Sequence, residues 1–176
     1  MNNEKQNSKK WIIIILIIGI VLCIGITVWA LFFRGGDEII TPDYPPQGTE
    51  ENQQPIEDDN SEKLENPEGG GAINVTYSTD AVATLSNSTL SVYYANPKAS
   101  NQNVAILIMI DETVVAKSDL ITPGNKVTTL KLEEHAKKLL QPGGYDAQLV
   151  VRAYDPESGE KAMIDTKGEI TLTVKD

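Results

Sequence analysis

Two stretches of this chain depart from the usual mixture of apolar and polar positions, in opposite ways. From Trp11 to Phe33, "WIIIILIIGIVLCIGITVWALFF", 23 residues pass without a charge. From Ala72 onward, apolar residues instead return at every second position. Ile73, Val75 and Tyr77 alternate, as do Leu90, Val92 and Tyr94, and Val104, Ile106, Ile108 and Ile110. The run Tyr145, Ala147, Leu149, Val151, Ala153 and the run Ile170, Leu172, Val174 complete the set. A period of two places one side of a strand in a core, so these runs predict strands. Weaker strands are expected at 81–85, 113–117, 126–132 and 160–165. Turn-forming clusters separate them, among them Asn96-Pro97, Asp111-Glu112, Pro123-Gly124, Pro142-Gly143-Gly144 and Asp155 to Gly159. Only Glu133 to Leu140, "EEHAKKLL", reads as helix. Residues 72–176 are therefore predicted to form one all-β domain.

The uncharged run has another use. At about 1.5 Å per residue a helix of this length matches the hydrocarbon thickness of a bilayer. Trp11, Trp29, Phe32 and Phe33 stand near its ends, and Lys9, Lys10 and Arg34 border it, the arrangement that suits headgroup depth. A secretory leader has a shorter apolar stretch, so a retained anchor over residues 11–33 is expected. Three lysines precede it against the single Arg34 just after it. That bias predicts a cytoplasmic stub, 1–10, and an exported C-terminal part. The lipid bilayer is then the first partner.

Charge separates the remainder. Residues 34–71 carry eleven acidic side chains against two basic ones, and residues 72–176 carry thirteen against ten. The middle segment, rich in Pro, Gly, Gln and Asn, has too few apolar residues to offset the entropy of ordering, and a disordered linker is expected there. With a net charge of −10 and no basic stripe, the chain repels phosphate backbones, so nucleic acid is not an expected partner.

The stretch "LLQPGGYDAQLVV", 139–151, refines the fold class. In Greek-key sandwiches a tyrosine near the start of a late strand turns its hydroxyl back onto the backbone a few residues upstream. Leu140, Pro142, Gly143 and Tyr145 have that form: a core residue, a corner, and the tyrosine. Some hundred residues in seven or eight short strands match an immunoglobulin-like Greek-key β-sandwich. With "VYYANPKASNQNVAILIMI" and "SDLITPGNKV", the stretch resembles small single-pass surface proteins of Gram-positive bacteria that carry one immunoglobulin-like or fibronectin type III-like module. The resemblance covers roughly 72–176 and implies no defined activity. Unlike antibody domains, this one has Ala147 where they have a cysteine, and Cys23 and both tryptophans lie in the apolar run.

Candidate chemistry is sparse. His135 is the single histidine and is expected to be solvated on the short helix; with one His and Cys23 in the apolar run, neither a His-Cys metal site nor a His-activated nucleophile is expected. No cofactor is expected. Asp155, Glu157 and Glu160 share a loop that reads as a plain turn, weak calcium binding being the alternative. Asn74 and Asn87 stand in sequons that carry no weight in a bacterial host. The remaining candidate is a surface. If Val104, Ile106 and Ile108 face the core, then Leu107, Met109, Val150, Arg152 and Tyr154 share the opposite side, with the Met, Arg and aromatic content of partner sites. The alternative is that loops or the helix cover this row as a second core. These readings predict a non-catalytic surface-displayed recognition or adhesion module for an extracytoplasmic protein or glycan. An accessory structural subunit of an envelope complex, such as a secretion or conjugation machine, is the second reading.

Overall fold

The computed structural model describes residue 46, residues 48–65 and residues 71–176, together with the isolated positions 16, 19 and 20. The stub and nearly all of the apolar run lie outside them. Among the described residues no helix is long and apolar enough to cross a membrane, and the anchor expected at 11–33 falls outside what they describe.

The regular structure in the rest is almost entirely strand. In chain order the elements are β1 (Gln54–Pro55), β2 (Thr76–Tyr77), β3 (Asp80–Thr84), β4 (Thr89–Asn96), β5 (Asn103–Ile110) and β6 (Thr113–Lys117). They continue with β7 (Asn125–Lys131), the helix α1 (Glu134–Leu139), β8 (Gly143–Tyr154) and β9 (Thr166–Lys175). The strands form one curled sheet in the order β1-β7-β4-β3-β9-β8-β5-β6, with β2 pairing β4 beside β3. Every pairing between these strands is antiparallel except that of β3 with β9, which runs parallel from Asp80↔Thr171 to Thr84↔Lys175. The two ends of the sheet meet at a bridge between Ala116 and Leu132. A tight link makes the β5–β6 pair, which turns through Asp111 in the left-handed conformation (φ 52°) that Asp tolerates better than most residues.

The alternation read from the sequence is what fills the inside of this curl. Val104, Ile106 and Ile108 of β5 are fully buried, and Leu149, Leu90, Leu172, Val127 and Leu130 meet them in one cluster. Each such side chain contributes about 1.5–3 kcal/mol by leaving water. Buried polar groups tie the loops to this core. The Asn96 amide donates to the carbonyls of Gln102 (3.1 Å) and Ile121 (3.0 Å), and the Ser118 hydroxyl accepts the Ile106 N–H at 2.9 Å.

Three expectations need correction. The strand at 160–165 is absent: only a bridge between Tyr154 and Lys161 forms, and Met163 and Ile164 stand 97% and 80% exposed. The alternation at Ile73 and Val75 yields only the two residues of β2, because the backbone of 72–74 is taken by Asn101 and Ser100. The largest change concerns the expected linker. Residues 48–65 are not a free spacer but run along the domain, and their attachment is described below.

Candidate functional site

The corner around Tyr145 is formed as its sequence implies. Leu140 is buried, Pro142 and Gly143 turn the chain, and the Tyr145 hydroxyl donates to the Gln141 carbonyl (3.0 Å) while accepting the Gln141 N–H (3.1 Å). The ring is half-buried against the core, but its hydroxyl bonds lie at the exposed rim. His135 is not simply solvated. Its Nε2 is 2.8 Å from the Val114 carbonyl, and since a carbonyl only accepts, that nitrogen carries the proton. With Glu133 N–H donating to the Val115 carbonyl and Glu133 paired to Lys117 (3.3 Å), it fastens α1 to β6.

The five residues expected to form a partner face do come together. The β5–β8 register sets Leu107 opposite Val150, Ala105 opposite Arg152, Asn103 opposite Tyr154 and Met109 opposite Gln148. They do not form an open patch, however. Leu107, Val150 and Tyr154 are only 5%, 3% and 2% exposed, and Met109 and Arg152 are half-buried. Beside this row Asp165, from the connection after β8, pairs with both Arg152 (3.4 Å) and Lys161 (3.0 Å). Leu107, Val150 and Tyr154 are thus buried outside the main cluster.

Two polar grooves remain. One of about 390 Å³ is bordered by Glu50, Lys117, Asp119, Lys131 and Glu133. The other, of about 520 Å³, lies on the outer side of β8 and β9 and is bordered by Asp111, Asp146, Gln148, Glu169 and Thr171. Such linings can receive a polar or cationic surface. Among the described residues no group of three or more His, Cys, Asp or Glu side chains is placed to hold a metal ion. In the loop 155–160 the Asp155 carboxylate is occupied with its own turn, accepting the N–H groups of Glu157 (3.0 Å) and Ser158 (2.8 Å) and the Ser158 hydroxyl. Those bonds, the Ser158 N–H first, hold its carboxyl below the ordinary aspartate range.

Sequence reasoning missed residues 48–65. Glu50 N–H donates to the Leu120 carbonyl (2.8 Å), and the Glu50 carboxylate accepts the Asp119 N–H (2.9 Å) and the Asn52 N–H (3.2 Å). Gln53 accepts the Thr122 N–H (3.1 Å), and Gln54 and Pro55 pair with Lys126 and Asn125 of β7. Asp59 accepts the Lys98 N–H (2.6 Å), and Ser61 the Ala99 N–H (3.0 Å). Backbone donors are satisfied one after another by a chain that has almost no apolar residues to bury. The single local sign is Asp59-x-Ser61, which forms its own turn.

No protein-family model and no curated protein matches this chain. Among solved structures it is similar to AggA, the major subunit of aggregative adherence fimbriae type I from Escherichia coli, with 12% identity and a TM-score of 0.31 over 65% of this chain and 100% of that one.

Proposed function

We propose that this chain is a membrane-tethered recognition or adhesion module displayed outside the cell, built on an immunoglobulin-like Greek-key sandwich. The carrying observation is the joining of an uncharged, bilayer-length run at 11–33 to an all-β domain through polar chain. The sandwich reading is supported by the strand order, in which β4 pairs with β7 and β5 with β8 across non-consecutive connections, and by the Tyr145 corner. Polar grooves and short loops on a packed scaffold suit reversible binding of a protein or glycan. Of the five residues first singled out, Met109 and Arg152 are the two with surface to offer a partner; Leu107, Val150 and Tyr154 form the floor beneath them.

Protease treatment of intact protoplasts tests the topology. Removal of the domain with retention of the anchor is the expected result, and a domain that survives until the membrane is permeabilised overturns it. Crosslinking in intact cells then separates two roles. External protein or glycan ligands support the recognition module, whereas recovery of envelope-machine subunits alone supports an accessory structural subunit.

A further inference from the structure

The chain that links the apolar run to the sheet is held down at three places before it enters the fold. At the first, Glu50 N–H reaches the Leu120 carbonyl, Leu120 N–H reaches the Gly48 carbonyl (3.1 Å), and Asp119 N–H reaches the Glu50 carboxylate. At the second, Gln53 takes the Thr122 N–H, Gln54 pairs Lys126, and Ile56 N–H donates to the Gly124 carbonyl (2.9 Å). At the third, Asp59 and Ser61 take the N–H groups of Lys98 and Ala99, and Leu64 N–H donates to the Ala99 carbonyl (2.8 Å). Beyond these, Ala72 exchanges hydrogen bonds with Asn101, its N–H to the side chain (2.7 Å) and its carbonyl from the N–H (3.0 Å), and Asn74 N–H bonds Ser100.

This grip differs in kind from that of the sheet. No residue of 48–65 belongs to the hydrophobic cluster, and Glu50 alone among them is buried. Leu64 is 41% exposed. Releasing the segment therefore moves little apolar surface into water, and the groups it frees lie where water can replace their partners. Its hydrogen bonds can be lost in sequence from one end without removing any member of the cluster. Regions with few buried apolar contacts open at far lower cost than the global fold.

We propose that residues 48–65 are a releasable latch: seated, they shorten the tether, and drawn from their N-terminal side they peel from the domain as a unit while the sheet stays folded. The clasp at Ala72 and Asn74 stops the peeling. The twenty-four residues from Gly48 to the clasp at Ala72 extend to at most about 85 Å, so release changes how far the domain can reach from its point of attachment. That use of the latch rests on the tethered reading above, whereas the peeling itself does not.

Force spectroscopy on the full chain in detergent micelles, with handles at its two ends, tests the peeling. A reversible low-force lengthening of at most about 85 Å is expected before the main unfolding event. It should shrink to about 20 Å or less, the reach of residues 48–53, when Gln54→Cys and Lys126→Cys, Cα partners across β1 and β7, are joined by a disulfide in a Cys23→Ser background. Amide exchange on the same protein provides a second measure. The N–H groups of Lys98, Ala99, Asp119, Leu120 and Thr122 should exchange together, about a hundredfold or more faster than those of the β5–β8 pair. Asp59→Asn combined with Glu50→Gln should accelerate all five and leave β5–β8 unchanged. A single unfolding step, or exchange of these amides only at the rate of β5–β8, overturns the latch. Acceleration confined to one of the three places also overturns it, because the segment would then not release as a unit. A failed protoplast experiment with an intact low-force step would remove the tether and keep the latch.

Discussion

The β5–β8 pair and the segment 48–65 are held on the same domain by different forces. The pair is apolar on both sides over much of its length: Ile106, Ile108, Leu149 and Val151 lie in the main cluster, and Leu107, Val150 and Tyr154 in the layer behind it. The segment carries seven acidic residues and one lysine and is attached through backbone groups, Glu50, Gln53, Asp59 and Ser61. Burial is additive with area and indifferent to direction. Hydrogen bonds at a wet surface are directional and individually worth about 0.5–1.5 kcal/mol net. One region sets whether the domain exists, the other where its chain lies.

Substitutions can break this contrast or sharpen it. Leu149→Ala, at the centre of the main cluster, should lower unfolding free energy by about 3–5 kcal/mol in chemical denaturation. The row behind it should follow the same rule: Leu107→Ala is expected to cost about 2–3 kcal/mol, and Met109→Ala, half-buried, under about 1 kcal/mol. Equal, small losses at both positions would mean that the outer row is an open face after all. Tyr145→Phe removes a hydroxyl that both donates and accepts at an exposed rim, and about 0.5–1.5 kcal/mol is expected. The smallest effect concerns the segment. The Ser61 hydroxyl, then the Lys98 N–H, hold the Asp59 carboxyl below its ordinary value of 3.8. A depressed carboxylate contributes fully above that value and loses its contribution as pH falls through the lower folded one. Protection of the Lys98 amide, corrected for intrinsic exchange, should therefore decline on acidification below about pH 4, and Asp59→Asn should abolish the pH dependence.

The same contrast explains what was legible in the sequence. Val104, Ile106 and Ile108, or Ala147, Leu149 and Val151, announce themselves because a strand facing a core must alternate, and β6 fell at the expected 113–117. The Leu140 to Tyr145 corner was legible because its geometry is local: donor and acceptor are four residues apart. Residues 48–65 were not, since the criterion applied to them asks only whether apolar surface is sufficient. Their partners lie 35 to 72 residues away and are mostly backbone groups, which every residue possesses. Nor does alternation reveal that Leu107 and Val150, on the other side of these strands from the main cluster, are buried too. It assigns a side of the strand and says nothing of what else will lie there.

The parallel pairing of β3 with β9 has a kinetic consequence. Its partners, such as Asp80 and Thr171, are about ninety residues apart, and β9 also supplies Ile170, Leu172 and Val174 to the core. A chain emerging N-terminus first presents Ala81 and Ala83 without the strand that covers them. Contacts of such separation are the slow step of folding, because the closure entropy comes before any of the reward. Until β9 is available the sheet has a gap between β3 and β8 that no other strand fills. Completion of the domain should thus wait on Thr166 to Lys175, leaving the preceding chain threadable during synthesis or transport and folding only when its last strand arrives.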